Sequence, residues 1–322
     1  MKQQVFEDRH SAFWQAFAER LELLEQRRDQ PDAALAGAAF PAAYRQLCRH
    51  LAIARARAYS PLLLERLNQL ALRGYQQLYR TRPGRLPAML SFIAVDFPNL
   101  VRREARLFWC CCGLFWLPLL AMGYAVYQQP ALVYSLLDSA QVAEFVAHYQ
   151  PDAQAGDRPA TGDVEMLGYY LYNNISIGFR TFAAGIIGGL GTLFILLFNG
   201  LYMGAIGGYL NAQGLGAVLF PFVVGHSAFE LTGILLAGVA GLKVGLALVA
   251  PGRYTRVQAL RRAATEGVRL LYGVVVLLLL AAVIEAFWSS NRALPVNLKY
   301  AVGAAGWLLL ALYLLLAGRR GT

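Results

Sequence analysis

Four ionisable side chains fall inside or beside long apolar stretches of this sequence: Arg180, His226, Glu230 and Glu285. A charge inside a membrane is costly, so such residues usually mark a functional site or an internal ion pair. His226 and Glu230 are spaced i, i+4 and therefore share one helix face. We expect Glu230 to pair with Arg180 and His226 to bond alongside. The alternative is that Arg180 and Glu285 extend to the membrane surface.

The same residues offer little for catalysis. His226 and Glu230 supply two possible metal ligands and no evident third, whereas a catalytic zinc site usually has three protein ligands. Cys48 and the run Cys110–Cys112 lack the CxxC or Cys/His spacing of a zinc site. No P-loop, dinucleotide fingerprint or Ser/His/Asp order is found. The sequence therefore predicts no metal, no cofactor and no enzymatic activity.

The elements that position these residues are predicted to be membrane-spanning helices of an all-α, polytopic protein. The chain has 322 residues, of which 57% are hydrophobic and 15% charged. A hydrocarbon core of about 30 Å requires about 20 apolar residues per helix. The predicted spans are 107–127, 177–198, 200–224, 226–248, 268–288 and 298–317.

Charge placement predicts how these spans are oriented. Loop 128–170 holds six acidic residues and one basic residue, whereas loop 249–267 holds four arginines against one glutamate. The positive-inside rule places both termini and loop 249–267 in the cytoplasm, and loop 128–170 outside. Parity then requires the glycine-rich segment 200–224 to cross the membrane as a discontinuous third span, giving six crossings. A re-entrant loop is the alternative for that segment.

Residues 1–106 are predicted to form a separate cytoplasmic helical region, followed by the transmembrane domain 107–322. Apolar residues at helical spacing predict amphipathic helices at 3–28, 40–57 and 60–81, and then an interfacial helix at 88–106. The net charge of +10 does not indicate nucleic acid, because no motif for base stacking accompanies it. Arginine that faces anionic lipid explains the charge, so the bilayer is the expected partner.

Small and polar residues recur within the spans. Close helix packing is expected at three GxxxG steps, which serve either contacts within the chain or a homodimer face: Gly185/Gly189, Gly204/Gly208 and Gly241/Gly245. Two polar pairs either cap helices or line a polar path: Asn173-Asn174 and Asn199-Gly200.

Three segments together resemble the SpoIIM (stage II sporulation protein M) family: the run from Tyr172-Asn-Asn to Gly191-Thr, Phe198-Asn-Gly-Leu-Tyr-Met-Gly, and Gly225-His-Ser-Ala-Phe-Glu-Leu. The resemblance implies an integral membrane protein without established enzymatic activity. The family's namesake scaffolds peptidoglycan hydrolases during engulfment. Relatives in non-sporulating bacteria, which this chain resembles more, are often encoded near MoxR-type AAA ATPases, von Willebrand A-domain proteins and RDD membrane proteins.

Two functions are compatible with these features. The first is a membrane scaffold that organises cytoplasmic and periplasmic partners, as the resemblance implies. The second is a transporter or channel component that uses the cluster Arg180/His226/Glu230, because broken helices commonly build substrate sites. No inverted repeat relates the two halves of the sequence, which disfavours a self-contained transporter.

Overall fold

The computed structural model is helical throughout its secondary structure and, in the part of the chain it describes, contains no strand. The described residues are 2–26, 39–78, 85–150, 160–291 and 293–319. The chain divides into two compact units, Met1–Arg85 and Leu86–Thr322. The predicted boundary after residue 106 thus falls inside the second unit.

Three helices form the first unit: α1 (Gln3–Gln26), α2 (Ala39–Ala56) and α3 (Pro61–Leu78). They lie where the amphipathic pattern predicts helices, and the predicted extensions to residues 28 and 81 lie outside the described residues. Helix α3 begins at Pro61 and is preceded by Ser60. The Ser60 Oγ accepts a hydrogen bond from the Leu63 backbone N–H at 3.4 Å, which satisfies an amide that the first helical turn leaves free.

The first unit has a hydrophobic core of its own. Its largest fully buried side chains, contributed by all three helices, are Phe6, Trp14, Leu21, Leu47 and Leu67. Within this core the Trp14 Nε1 donates to the Nδ1 of buried His50 at 3.1 Å. At its edge Arg73 pairs with Glu25 at 2.8 Å. The unit is therefore a small helical domain with its own hydrophobic core.

The second unit begins with a broken helical segment at the position of the predicted interfacial helix. It comprises α4 (Arg85–Ser91), a π-helical turn (Phe92–Asp96) and α5 (Phe97–Arg103). Large apolar side chains of α4, among them Leu86 and Leu90, are exposed. In contrast, Phe97 and Leu100 of α5 are buried in the bundle core.

Seven further α-helices complete this unit: α6 (Ala105–Gln128), α7 (Ser139–Tyr149), α8 (Ala160–Ala183), α9 (Leu190–Ala212), α10 (Gly216–Val249), α11 (Arg256–Ile284) and α12 (Val296–Leu316). A π-helical turn, Glu285–Ser289, continues α11. Among the described residues, five helices are long and apolar enough to cross a membrane, namely α6, α9, α10, α11 with its π-helical turn, and α12. The chain is therefore a polytopic helical membrane protein.

The predicted second span at 177–198 is wrong, because the chain reverses inside it. Helix α8 ends at Ala183, and α9 begins at Leu190. Between them Gly188 and Gly189 have φ of 59° and 87°, backbone angles that favour glycine. Hydropathy did not reveal this turn, because it is as apolar as the helices beside it.

The predicted discontinuous span at 200–224 is also wrong, and so is its re-entrant alternative. Helix α9 continues to Ala212 and α10 starts at Gly216, so residues 213–215 form a turn between two long helices. Gly214 has φ of 78° at this turn. Pro221 lies inside α10 without ending it.

Helix directions follow from which residues lie opposite each other. Added Cβ atoms on Gly200, Gly204 and Gly208 of α9 would meet the carbonyl oxygens of Phe115, Leu119 and Gly123 of α6, in that order. Because both sets of numbers rise together, α6 and α9 run parallel. Helix α8, which lies between them in the sequence, runs in the opposite direction and returns the chain to the start of α9.

Helix α10 is the centre of this bundle. It contacts α6, α8, α9, α11 and α12, and most of its apolar stretch is buried. Exposed aromatic side chains mark the bundle's two ends, with Trp109 near the start of α6 and Tyr124 and Tyr127 near its finish. Such aromatic residues are typical of membrane–water interfaces.

Polar contacts at one end of the bundle join α5 to α12, and α10 to its neighbours. Arg102 of α5 donates to the carbonyl oxygens of Leu314 and Ala317 at 2.6 Å, and so satisfies groups that the end of α12 leaves without partners. At the same end Lys243 of α10 bonds to both Glu104 and Glu266.

Candidate functional site

A cluster of polar side chains lies inside the bundle at the end opposite to Arg102. Two of its members, His226 and Glu230, occupy successive turns of α10. The π-helical turn after α11 contributes Glu285 and Ser289, and α8 contributes Asn174. His226 is 3% exposed and Glu285 8% exposed, so the cluster is largely enclosed by protein.

The His226 ring lies between a hydroxyl group and two carboxylates. Its Nδ1 is 2.9 Å from the Ser289 Oγ, a hydrogen-bond distance. Its Nε2 lies 3.5 Å from the Glu230 Oε2 and 4.0 Å from the Glu285 Oε1. Both nitrogens of the ring are therefore directed at oxygen atoms of the cluster.

Asn174 holds the second carboxylate from the side of α8. Its Nδ2 donates to the Glu285 Oε2 at 3.3 Å, and its Oδ1 accepts from the neighbouring Asn173 at 3.3 Å. Asn174 is 1% exposed. The Asn173-Asn174 pair, for which the sequence left capping and a polar path open, thus forms part of the cluster in the middle of a helix.

Arg180 does not take the place that the sequence analysis gave it. It lies in the last turn of α8 and is exposed, whereas the prediction put it near the other end of that span. Arg180 is six residues beyond Asn174, or about 9 Å along the helix axis. No ion pair within the described ranges joins it to Glu230.

The buried cation in this part of the bundle is Lys299, at the start of α12. It is 6% exposed and donates to the backbone carbonyl oxygen of Ser289 at 2.8 Å. The sequence analysis missed it, although a single lysine at the edge of an apolar span was a usable signal. Trp307 of the same helix donates to the Ser227 Oγ at 3.2 Å, next to His226.

The glycine steps serve packing within the chain. An added Cβ on Gly185 would meet the backbone of Gly241, and one on Gly245 would meet that of Gly189. The α9 glycines lie against α6 in the same way. Since these faces are covered inside one chain, the structure favours the first of the two alternatives for GxxxG over a homodimer face.

Two further residues of the predicted motif have distinct positions. Asn199 lies in the interior of α9, where its side chain donates to the Ile195 carbonyl oxygen at 2.8 Å. It therefore does not cap a helix. Gly225 lies beside the cluster, because an added Cβ would be 3.0 Å from the Ser289 Oγ and 3.3 Å from the Trp288 ring.

The cluster brings together the atoms needed to hold a cation. His226, Glu230 and Glu285 each offer one ligand atom, and the three atoms lie within 4.8 Å of one another. The third ligand that the sequence analysis could not find is Glu285, which is distant in sequence and reaches the site through the antiparallel packing of α10 and α11.

A comparison with protein-family models identifies the bundle. The model of stage II sporulation protein M (SpoIIM) matches residues 111–290. The chain belongs to the SpoIIM family. The match runs from α6 to just after the π-helical turn, so it includes every residue of the cluster and leaves Lys299 outside.

The first unit of this SpoIIM protein has a separate match. A domain of unknown function, DUF8413, covers residues 4–80 and therefore α1 to α3. No curated protein and no solved structure matches the chain.

Proposed function

We propose that this SpoIIM-family protein is a scaffold of the bacterial inner membrane, which organises cytoplasmic and periplasmic partners of the cell envelope. Two features together support this most. One helical unit has a hydrophobic core of its own, and the membrane bundle encloses a cluster of ionisable residues. A separate folded unit is suited to docking, and an enclosed cluster is suited to holding helices in place.

The surface of the first unit supports a docking role. Leu62 and Leu72 of α3 are 83% and 52% exposed, although the opposite face of the same helix is buried in the core. In the proposed scaffold these two leucines would supply the apolar contacts to a docked partner. The family resemblance suggests MoxR-type AAA ATPases, von Willebrand A-domain proteins or RDD membrane proteins as partners.

The experiment is affinity purification of the full chain from its native membranes. A variant carrying Leu62→Ser and Leu72→Ser is compared with a matched control carrying Arg66→Ser and Gln76→Ser, which alters exposed polar residues of the same helix. We expect both variants to accumulate normally and only the leucine variant to lose its co-purifying proteins. Identical sets of proteins from both variants would count against docking through α3.

The orientation of the protein is part of the proposal. We place both termini and the Arg253 loop in the cytoplasm and Asp138 in the periplasm, following the charge asymmetry of the loops. In a background without native cysteines, Asp138→Cys should react with a membrane-impermeant maleimide in intact spheroplasts. Arg253→Cys should react only after the membrane is opened. The reverse pattern would invert the proposed topology.

A role as a transporter or channel component is the second candidate, and the ionisable cluster is the observation that favours it. The enclosure of His226 and Glu285 weighs against it, as does the position of Arg180 outside the cluster. Glu230→Gln separates the two. Reduced accumulation in the membrane fits a cluster that holds the bundle together, whereas normal accumulation with lost function fits transport.

A further inference from the structure

We propose that His226, Glu230 and Glu285 bind one divalent transition-metal ion, of the class of Zn²⁺, inside the membrane bundle. The site would join α10 to the end of α11, and it is independent of the proposed scaffolding.

The spacing of the three ligand atoms matches a shared ion better than direct hydrogen bonds. N–H···O bonds measure about 2.7–3.2 Å, whereas the His226 Nε2 lies 3.5 Å and 4.0 Å from the two carboxylates. Ligands about 2.1 Å from a tetrahedral zinc ion are about 3.4 Å apart. All three atoms lie within 4.8 Å of one another, so a contraction of the widest pair by up to about 1.4 Å would give them bonding distances to one ion.

The surrounding groups orient the ligands as they do in known metal sites. A metal-binding histidine usually bonds through its second ring nitrogen to a neighbouring acceptor, which fixes the ring and leaves the other nitrogen for the metal. Here the Nδ1 of His226 faces the Ser289 Oγ, so Nε2 is the atom directed at the carboxylates. Asn174 holds one Glu285 oxygen, and the other is directed at His226.

The charge of the cluster also favours a cation. Two carboxylates with side chains 14% and 11% exposed lie next to each other in the interior of an apolar bundle. A buried charge without compensation is strongly unfavourable. Arg180 does not reach these groups, and Lys299 carries one positive charge against two carboxylates. A divalent ion would compensate both.

The local backbone is a further indication of a binding site. Glu285 and Ser289 lie on a π-helical turn, a feature that occurs frequently at functional sites. On the same turn the Trp288 Nε1 is buried and has no hydrogen-bond partner among the described residues. One imidazole and two carboxylates suit Zn²⁺, Mn²⁺ or Fe²⁺, and the cluster has no sulfur ligand that would select Cu(I).

The test uses the full chain, purified in detergent, stripped with a chelator and then titrated with Zn²⁺. We expect one zinc ion per chain by elemental analysis and a rise in the unfolding temperature on zinc addition. Glu285→Gln and His226→Gln should lose both effects. Glu144→Gln, which alters an exposed carboxylate of α7, is the control and should keep both.

X-ray absorption of the zinc-loaded wild-type chain keeps the proposal testable even if a variant fails to fold. Nitrogen and oxygen ligands at about 2.0–2.2 Å would support it. Sulfur ligands at about 2.3 Å would overturn it, because the ion would then be bound by cysteines such as Cys110. Zinc binding by Glu285→Gln that equals the wild type would overturn it too, as would a stripped wild-type chain that takes up no zinc.

Discussion

Substitution on the face of α9 that packs against α6 should destabilise the protein, whereas the same substitution on the neighbouring open face should be tolerated. Gly204 and Gly207 are both in the interior of α9, yet their surroundings differ. A Cβ added to Gly204 would meet the carbonyl oxygen of Leu119 and the backbone nitrogen of Gly123. A Cβ added to Gly207 would have no neighbour within 4 Å in the described part of the chain. The pair therefore isolates the effect of packing.

The expected magnitude follows from two opposing terms. Gly→Ala in a helix interior gains about 1 kcal/mol in helix propensity, and this gain is common to both variants. Overpacking against a neighbour that cannot move easily costs about 1–3 kcal/mol, and it affects Gly204→Ala alone. The obstacle at Gly204 is helix backbone, which cannot rotate aside as a side chain could. Gly204→Ala should thus be less stable than Gly207→Ala by about 1–3 kcal/mol.

The assay is unfolding of the purified full chain in mixed micelles with increasing SDS, followed by tryptophan fluorescence. Gly207→Ala should unfold at or slightly above the wild-type midpoint, and Gly204→Ala below it. Equal midpoints for the two variants would refute the close parallel packing of α6 and α9. So would a lower midpoint for Gly207→Ala.

Two other predictions concern charged and titratable groups. Lys243→Met leaves Glu104 and Glu266 without their shared cation and should lower the unfolding temperature. Lys243→Arg should retain most of the stability. An equal loss of unfolding temperature in both variants would argue against the ion pairs. In the first unit, burial lowers the pKa of His50, and its Nδ1 must stay unprotonated to accept the Trp14 hydrogen bond. The unfolded chain binds that proton more readily, so stability should fall as pH drops through about 6.5. Thermal melts at pH 7.5 and 5.5 should show a smaller fall for His50→Gln, and an equal fall would exclude His50 as the cause.

The sequence predicted the helices of the first unit well, because their signals are local. The apolar residues of α1 to α3 recur at helical spacing, and the Ser60-Pro61 pair gives a clear helix start. Each helix also alternates between core and solvent, so its period is visible. These predictions needed no knowledge of which helix contacts which.

The membrane bundle was predicted less accurately, because glycine has two uses that sequence alone did not separate. Gly188, Gly189 and Gly214 form turns at positive φ, whereas Gly204 and Gly208 allow close packing of straight helices. Both kinds occur in equally apolar surroundings. The prediction therefore placed one break in the wrong position and missed the turn that ends α8.

The site was predicted in part. His226 and Glu230 lie on one helix face, as their i, i+4 spacing predicts, and Glu285, which the sequence offered as a candidate, lies beside them. Placing Arg180 in the cluster failed because its depth was inferred from a span that starts 17 residues too late, at 177 instead of 160. Ser289 joins the cluster through the packing of α10 against α11 and its π-helical turn, which no local pattern reveals.

The hydrogen bonds from Arg102 to the end of α12 have a consequence for how this protein is made. Leu314 and Ala317 lie more than two hundred residues after Arg102 in the chain. The carbonyl oxygens that accept the Arg102 hydrogen bonds are therefore synthesised long after Arg102 itself. The bundle can close at that end only after α12 has left the ribosome and entered the lipid. Nascent chains arrested before Leu314 should accordingly expose α5 to quality-control proteases, even when every earlier helix is already inserted.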